Sequence, residues 1–327
     1  MFRETHPRIA TALLTCALLG PVAHSADTPE GAKGGLDEIV VTAQRREQSL
    51  KDVPISVSVA SAEQLSDAGI IQSTQLPQLT PGLVMDSAAT YQQTYLRGVG
   101  SEFVQPGTNQ SVATYIDGVV IVSPTALDQS LMDVERIEVL KGPQGTLFGR
   151  NAAGGAINIV TKRPSETPQA QVQVGVGNLD AKNVGLYLSG PVAGGLKASL
   201  AGFYNYRDAW YDNLAAPFAE KGAKQYGGRV KFLYEADNGV EAELSGTFAQ
   251  QFNGDNFAYQ QLQPNSVGAA FGGIGSSRPG KVYNDSHGKH YPAWVGRYRT
   301  ASGTLRVKAP LGFADFVSIS GFREGVN

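Results

Sequence analysis

From residue 169 onward, hydrophobic side chains recur at every second position of the chain. Val172, Val174 and Val176, for example, alternate with glutamine and glycine. Successive side chains of a β-strand point to opposite faces, so this spacing predicts about seven antiparallel strands that each have one apolar face. The segments that carry the pattern are residues 172–176, 184–188, 198–206, 230–234, 240–248, 305–308 and 313–322.

The connections between these segments alternate in length. The short connections are residues 190–195, 235–239 and 309–312, and the long polar ones are residues 208–224 and 250–297. Short turns on one side and long loops on the other are typical of a transmembrane β-barrel. Two tyrosines at one end of the 198–206 segment fit the aromatic girdle of such a barrel. A soluble β-sandwich is the alternative for short strands of this kind.

A glycine-rich connector lies upstream, inside residues 133–164, and joins two short β-type runs at residues 137–140 and 157–161. Its glycines occupy positions 142, 145, 149, 154 and 155. This density indicates backbone that turns with positive φ, or that packs too closely for a Cβ. The connector supplies no nucleophile and no metal cage, and it lacks the Gly-Lys-Ser/Thr ending of a nucleotide-binding loop.

Two further blocks precede this segment, TYLRGVG at residues 94–100 and TYIDGVVI at residues 114–121. In this order, the three blocks span about 70 residues and resemble the plug domain of TonB-dependent outer-membrane receptors. The resemblance implies an α+β plug domain at residues 49–165, followed by antiparallel transmembrane β-barrel strands at residues 166–327. In that family the plug fills a barrel of about 22 strands.

The number of strands differs from what the resemblance implies. Only about seven strands fit between residues 169 and 327, and an open sheet of seven would leave two unpaired edges in the lipid. The chain is therefore expected to be the N-terminal part of a longer receptor, with an incomplete barrel. A truncated product that does not transport is a second expectation for these residues alone.

Within the predicted plug, local patterns indicate short mixed elements. Residues 53–59 alternate between apolar and small polar side chains and predict a half-buried strand. Ser61 and Gln64 have the spacing of a capping box, which predicts a short helix that Gly69 ends. A second helical turn is predicted at residues 73–79.

The N-terminus carries the features of a secretory signal peptide. Arg3 and Arg8 precede an apolar run at residues 9–19, which is too short to span a membrane. Cleavage after Ser25 would place Ala23 and Ser25 at the small-residue positions of a signal-peptidase site. The predicted signal peptide therefore covers residues 1–25. The only cysteine, Cys16, lies within it, and the mature protein is expected to lack disulfides.

Residues 26–48 are predicted to form a periplasmic tether, because residues 27–36 are small and polar and include one proline and three glycines. The tether contains a segment that resembles the family's TonB box: Asp37, Glu38, Ile39, Val40, Val41, Thr42 and Ala43. The resemblance implies that this strand pairs with periplasmic TonB, which acts with ExbB and ExbD and relays work from the inner-membrane proton gradient. Addition of a strand to a sheet edge would provide the contact. An ordinary first strand is the alternative.

Arg97 and Arg150 resemble the paired plug arginines that barrel glutamates hold in the family. A guanidinium inside a barrel lumen needs carboxylate partners to offset its desolvation, and it offers them bidentate geometry. Those glutamates are expected to lie beyond residue 327. The alternative is local pairing of both arginines with Glu135 or Glu138.

The resemblance also implies that outward-facing plug loops contact the ligand, at residues 91–93, 103–109 and 123–129. The candidate ligand-binding residues are Tyr91, Gln93, Phe103, Gln105 and Asn109. They offer aromatic and amide groups rather than charges, which suits a ligand that forms hydrogen bonds. By contrast, Asp117 is predicted to form a turn before Gly118 rather than to contact a ligand.

Composition excludes other classes of function. The formal net charge is −2, so the chain has no basic excess with which to neutralise nucleic-acid phosphates. No Ser/His/Asp or Cys/His arrangement is evident in the sequence, so catalysis is not expected. His287 and His290 have a spacing that could bind metal, but no further ligand set lies nearby and a solvated loop is the preferred interpretation.

The resemblance therefore implies TonB-dependent active import of a scarce nutrient across the bacterial outer membrane, through a barrel embedded in lipid. A ferric siderophore is the first choice of ligand, and iron held inside it would leave the protein without a cofactor of its own. Haem, cobalamin or a carbohydrate is the alternative. A signal-transducing receptor is disfavoured, because residues 27–36 are too few for a further periplasmic domain ahead of the predicted TonB box.

Overall fold

The computed structural model describes residues 40–42, 48–88, 91–101, 110–122, 130–209, 212–213, 222–253, 281–282 and 296–326. The predicted signal peptide lies outside these ranges, as do His287 and His290. The short α-helices are α1 (Ala62–Asp67) and α2 (Gly145–Phe148), and 3-10 turns lie at Leu50–Asp52 and Ser73–Gln78.

Short strands dominate the first half of the described chain and long strands dominate the second. The first group is β1 (Val40–Val41), β2 (Gln48–Ser49), β3 (Ser56–Ser61), β4 (Leu83–Ala88), β5 (Tyr91–Leu96), β6 (Val99–Gly100), β7 (Val112–Ile116), β8 (Val119–Ile121), β9 (Val134–Lys141) and β10 (Gly155–Thr161). The second group is β11 (Gln169–Gly177), β12 (Ala181–Ala193), β13 (Leu196–Arg207), β14 (Asp212–Asn213), β15 (Ala223–Glu235), β16 (Glu241–Asn253), β17 (Lys281–Val282), β18 (Gly296–Pro310) and β19 (Asp315–Val326).

The elements from β2 to β10 form an α+β domain, which we call the plug. Its main sheet has five strands in the order β3-β9-β10-β7-β8. Strand β9 is antiparallel to both of its neighbours, whereas β10 runs parallel to β7. A smaller sheet, β4-β5-β6, packs beside it. The two β-type runs on either side of the glycine-rich connector are thus adjacent strands, β9 and β10.

Apolar side chains bury the main plug sheet on both faces. Ile157 and Ile159 of β10 belong to one hydrophobic cluster, and Ala156 belongs to the other. Neighbouring residues of a strand point to opposite faces, so this division places one cluster on each side of the sheet. Helix α1 contributes Leu65 to the first cluster, and Phe148 of α2 joins the second.

The predicted helix start at Ser61 is confirmed. The Ser61 hydroxyl accepts a hydrogen bond from the backbone N–H of Gln64, and the Gln64 side chain accepts one from the backbone N–H of Ser61. Gly69 follows the helix with φ of +66°, a conformation that ends a helix at little cost for glycine. The second predicted turn is a 3-10 helix at Ser73–Gln78.

The glycine-rich connector contains both kinds of glycine that its sequence predicts. Gly142 and Gly149 have φ of +102° and +76°, with open space where a Cβ would lie. Gly155 has φ of +144°, and a Cβ there would collide with the carbonyl oxygen of Leu140 and with the Leu96 side chain. Gly155 therefore lets β10 approach the buried end of β9 closely.

We expect Gly155→Ala to destabilise the plug by about 2 kcal/mol or more, because the new methyl group meets backbone and a positive φ strains any residue with a Cβ. Thermal unfolding of the membrane-extracted protein measures the effect. Gly142→Ala is the matched control, since it strains φ without a collision, and a smaller loss is expected. Equal losses in the two variants would contradict the role assigned to close approach.

The second half of the described chain forms a seven-stranded antiparallel sheet, which we call the wall sheet. Its order is β11-β12-β13-β15-β16-β18-β19. Consecutive strands pair along nearly their full length, such as Leu196–Arg207 against Ala223–Glu235. The predicted number of strands and their antiparallel arrangement are confirmed. Short turns join β12 to β13, β15 to β16, and β18 to β19.

The two faces of the wall sheet differ in the way that the alternation predicts. In β15, Val230 and Phe232 are 36% and 42% exposed, whereas Lys231 and Leu233 between and after them are each 2% exposed. The apolar face is thus directed away from the plug, and a face with polar and charged residues is covered by it. Among the described residues, no helix is long and apolar enough to cross a membrane.

Candidate functional site between the plug and the wall sheet

The inner face of β15 presents polar groups to the plug. Gln225, Arg229 and Lys231 lie on the same face of the strand and are largely buried. Gln225 accepts a hydrogen bond of 2.8 Å from the Gln72 side chain of the plug. Burial of so many polar groups requires partners, and the plug supplies carboxylates for the two cations.

Arg229 binds Asp133 at the start of the plug strand β9. Its Nη1 donates to both carboxylate oxygens of Asp133 at 2.7 Å, and its Nε donates to Thr247 of the neighbouring wall strand at 3.0 Å. Both side chains of the ion pair are about one-tenth exposed. Thr247 of the wall thus orients the Arg229 guanidinium, and the guanidinium in turn holds the plug at Asp133.

Lys231 binds Asp117 in the turn between β7 and β8. Its ammonium lies 3.2 Å from the Asp117 carboxylate and 3.5 Å from that of Glu243 in β16. Asp117 also accepts hydrogen bonds from the backbone N–H and the hydroxyl of Thr161, at 2.9 Å and 2.6 Å. The predicted turn role of Asp117 is confirmed by its φ of +48°, and the ion pair is an additional role.

The surroundings of Asp117 favour its charged form. Burial by itself would raise the pKa of this carboxyl, but Lys231, Arg229 and the hydrogen bonds from Thr161 outweigh the burial and hold its pKa below the ordinary value. Asp117 is therefore a carboxylate throughout the neutral range, as the ion pair requires.

This shift predicts how the stability of the plug depends on pH. Because the folded-state pKa of Asp117 is depressed, its contribution is fully present above the unfolded-state value of 3.8. It is lost as pH falls through the lower folded-state pKa. Unfolding midpoints of the membrane-extracted protein between pH 7 and pH 3 should fall less steeply in Asp117→Asn than in the wild type. Parallel profiles would contradict this assignment.

Shape as well as charge joins the two parts. A Cβ on Gly185 of β12 would collide with the sulfur of Met132, and a Cβ on Gly321 of β19 would lie 2.9 Å from both methyl groups of Val119. Each wall glycine thus leaves room for one plug side chain. The contacts place the plug against at least two separated strands of the wall sheet.

A linker at residues 162–168 connects the plug to β11 along the short-turn edge of the wall sheet. Arg163 binds Glu241 at 2.6 Å and Glu235 at 3.4 Å. The backbone N–H of Ser165 donates to the hydroxyl of Ser189 at 2.8 Å. Lys197, which is 6% exposed, pairs with Glu166 of the linker. These contacts hold the end of the plug on the wall.

The predicted plug arginines occupy different positions from these pairs. Arg97 donates to the hydroxyl of Ser56 at 3.0 Å, and Arg150 is exposed. Within the described ranges neither binds a carboxylate, so their pairing with barrel glutamates stays a prediction. Among the described residues, Glu135 and Glu138 both bind Arg136, and the structure shows no ion pair of either carboxylate with Arg97 or Arg150.

The ion pairs that the sequence analysis missed have the reverse polarity, with cations on the wall and carboxylates on the plug. One signal was available in the sequence. Arg229 and Lys231 alternate with apolar Val230 and Phe232, so both cations must lie on the face opposite the apolar one. The carboxylates that they bind carried no comparable signal in the sequence. Asp117, for example, lies more than a hundred residues from Lys231.

The predicted TonB box is described only at Val40, Val41 and Thr42. Val40 and Val41 form β1, which pairs with Ser49 and Gln48 of β2. Val41 is fully buried in the cluster on one face of the plug sheet. Thr42 follows and contacts the buried carboxylate of Glu138. The other four residues of the predicted box lie outside the described ranges.

The candidate ligand-binding residues are described in part. Gln93 lies in β5 opposite Asp86, and Tyr91 begins the same strand. Phe103, Gln105 and Asn109 lie outside the described ranges, as do residues 123–129. The structure therefore leaves the ligand-binding assignments as predictions. Among the described residues, no group of three or more His, Cys, Asp or Glu side chains could hold a metal ion.

Comparison with known proteins accounts for this architecture. A family model, the TonB-dependent receptor plug domain, matches residues 49–156. The pesticin receptor of Yersinia pestis is 38% identical over 181 residues, which are 55% of this chain and 26% of the receptor. Residues 49–156 therefore carry the plug domain of a TonB-dependent receptor. An iron-regulated outer membrane virulence protein of Vibrio cholerae is 25% identical over 230 residues, which cover 65% of this chain and 34% of that protein.

Solved structures of TonB-dependent receptors extend the match to the wall sheet. The ferric yersiniabactin uptake receptor FyuA from Yersinia pestis is 30% identical and has a TM-score of 0.70, over 83% of this chain and 41% of FyuA. The ferric-catecholate import receptor Fiu from Escherichia coli shares the fold, with a TM-score of 0.66 at 19% identity. The wall sheet thus resembles part of a receptor barrel and is unclosed here, and the protein resides in the outer membrane.

The match covers only part of the length of these relatives. The chain spans about a quarter to a third of the length of the curated relatives named above.

Proposed function

We propose that this TonB-dependent receptor takes part in the uptake of a ferric siderophore across the outer membrane. The observation that carries the proposal is the likeness to FyuA, a ferric yersiniabactin uptake receptor, at 30% identity and a TM-score of 0.70. The likeness covers 83% of this chain and therefore includes both plug and wall. The family consists of transporters and receptors, and transport rather than catalysis is the activity proposed.

The plug–wall contacts support a gated passage. The ion pairs of Arg229 and Lys231 seat the plug against the inner face of the wall sheet, and an occluded lumen prevents free diffusion. Passage of a ligand then requires work on the plug. We propose that periplasmic TonB, acting with ExbB and ExbD, supplies it by adding a strand to the segment that includes Val40 and Val41.

The cargo in this proposal carries its own iron. A siderophore surrounds the metal with its own oxygen and nitrogen atoms, so the receptor binds the complex as a small organic ligand and needs no metal ligands or cofactor. Uncharged loop residues such as Gln93 would contact it through hydrogen bonds. Candidate residues in the loops remain part of the proposal.

The test uses the bacterium that makes the protein. Its gene is deleted, and uptake of ⁵⁵Fe-loaded siderophores purified from iron-starved cultures of the same bacterium is measured. Deletion is expected to abolish uptake of at least one siderophore, and a protonophore is expected to do the same in the wild type. Unaltered uptake of every siderophore, together with receptor expression that does not respond to iron starvation, would overturn the proposal.

Cobalamin is the second candidate ligand. The vitamin B12 transporter BtuB of Vibrio vulnificus is 26% identical over 223 residues, or 67% of this chain. The same deletion strain distinguishes the two candidates, because loss of cobalamin uptake with intact siderophore uptake would favour this alternative.

A further inference from the structure

One row of side chains crosses the outer face of the wall sheet at the end that carries the long connections. The register of five adjacent strands aligns a cation, a ring, a cation, a ring and a cation, which are Lys182, Tyr206, Lys224, Phe252 and Arg297. Lys224 is an even number of residues from Val230 and Phe232, the exposed apolar residues of β15. These five residues, which we call the cationic row, therefore lie on the apolar face and not on the face that the plug covers.

The cationic row lies where the apolar face meets the long connections. Asn253 ends β16 and Gly296 begins β18, so Phe252 and Arg297 lie next to the longest of these connections. Long connections of an outer-membrane barrel are extracellular, and tyrosines collect where acyl chains meet headgroups. The row is thus placed at the level of the headgroups of the outer leaflet.

Aromatic rings hold two of the cations. Lys224 Nζ lies 5.4 Å from the ring centroids of both Tyr204 and Tyr226. The guanidinium carbon of Arg297 lies 5.0 Å from the ring centroid of Phe252. A ring attracts a cation through its π electrons but carries no net charge. The rings therefore position both cations and leave their charge uncompensated.

Two nearby carboxylates already have partners. Asp180 binds Lys182 at 2.8 Å, and Asp208 accepts a hydrogen bond from the hydroxyl of Tyr206. The lysine at one end of the row is thus neutralised by a neighbouring residue of its own strand region.

The other cations at this level differ from Lys182. Within the ranges that the structure describes, Lys224 and Arg297 of the row form no ion pair, and neither does Arg299, two residues further along β18 on the same face. Both arginines are exposed. Three positive charges therefore face the surrounding headgroups without a carboxylate partner, and this surface favours an anion.

We propose that the cationic row binds the phosphate groups of an anionic lipid in the outer leaflet of the outer membrane. Adjacent strands lie about 4.8 Å apart, so Lys224 and Arg297 are separated by about 10 Å of sheet. This separation suits a headgroup that bears more than one phosphate. Ammonium and guanidinium groups both donate charge-assisted hydrogen bonds to phosphate oxygens.

A lipid is favoured over free phosphate because of the surface beside the row. A soluble anion would interact with the charges alone. The acyl chains of a lipid would also cover apolar side chains such as Leu200 and Val230, which are 49% and 36% exposed. The proposal goes beyond transport, because it assigns a ligand to the face of the wall that the plug does not contact.

Lipid A that carries both of its phosphates tests the proposal. The full receptor is extracted in a nonionic detergent and titrated with diphosphoryl lipid A, and binding is followed by microscale thermophoresis. Lys224→Gln and Arg297→Gln are each expected to weaken binding about fivefold, and the double variant about twenty-five-fold, because a cation beside an anionic headgroup contributes roughly that factor. Arg297→Gln changes an exposed side chain, so it decides the matter if Lys224→Gln does not fold.

Lys308→Gln is the matched control. Lys308 lies in β18, as Arg297 does, but at the short-turn end of the strand, where it aligns with Glu241. It is an odd number of residues from Arg297 and therefore lies on the opposite face. The substitution removes the same charge, and its affinity for lipid A should equal that of the wild type.

Three outcomes would overturn the proposal. Equal losses of affinity in Lys308→Gln and Arg297→Gln would show that binding follows net charge rather than the row. Equal affinity for lipid A with and without its phosphates would exclude phosphate recognition. Displacement of lipid A by inorganic phosphate at matched concentration would exclude the lipid as the specific ligand. Because no cargo is present, the result does not depend on whether the receptor takes up a siderophore.

Discussion

Replacing Lys231 with methionine is expected to weaken the seating of the plug by about 3–5 kcal/mol, the usual cost of removing one partner from a buried ion pair. Lys231 is 2% exposed and lies 3.2 Å from Asp117 of the plug. Methionine fills nearly the same volume, so packing is retained. The loss of stability therefore measures the effect of removing the positive charge beside Asp117 and Glu243.

The effect is measured as the shift of the denaturation midpoint and as the rate of tryptic cleavage within the plug, in membrane-extracted protein. Lys182→Met is the matched control, because Lys182 is 56% exposed and pairs with Asp180 at the sheet surface. Exposed pairs contribute little, so this variant should resemble the wild type. Equal behaviour of the two lysine variants would show that the plug is seated by other contacts.

A double variant sharpens the result. In Asp117→Asn with Lys231→Met, the uncompensated plug carboxylate is removed together with its cation. We expect part of the lost stability to return, because the residues are coupled through direct contact. If the stability losses of the two single variants are additive, the effect of Lys231→Met arises from its contact with Glu243 of the neighbouring strand alone.

Val40→Pro is expected to abolish capture of the receptor by the C-terminal domain of TonB, and with it energised uptake. Proline has no backbone N–H and removes one ladder donor from a strand that must pair by its backbone. Val40 is the central residue of the predicted TonB box at residues 37–43. Loss of its donor therefore interrupts the predicted pairing in the middle of the segment.

Pull-down with the TonB domain measures the contact, and ⁵⁵Fe uptake measures its consequence. Val40→Thr is the matched control, because threonine keeps the backbone donor and the β-branched shape that favours strands. It should behave as the wild type. If Val40→Pro is captured as well as Val40→Thr, the segment is not the TonB-binding strand, and the interpretation of residues 37–43 as a TonB box is wrong.

Local patterns predicted those elements that neighbouring residues control. The capping box of Ser61 and Gln64 was predicted because both hydrogen bonds lie within one helical turn. The seven wall strands and their outer faces followed from alternation, since a strand must direct its apolar side to one face. The density of glycines in the connector predicted backbone that packs too closely for a Cβ. Gly155 is one of the glycines where this occurs.

Contacts between distant residues could not be predicted in the same way. Plug–barrel ion pairing at Arg97 and Arg150 stays a prediction, and the pairs of Arg229 with Asp133 and of Lys231 with Asp117 were not predicted from the sequence. Strand register and the seating of the plug select which inward-facing charge meets which partner. A pattern within one segment carries no information about that choice.

The amino-acid sequence by itself determined the plug motifs, the amphipathic strands of the wall and the resemblance to a receptor family, because each depends on residues close together in the chain. The tertiary structure alone decided that wall cations hold plug carboxylates and that Thr42 docks on the buried Glu138. The physical reason is that buried charges are stable only where folding brings compensating groups within hydrogen-bond distance, and those groups come from remote parts of the chain.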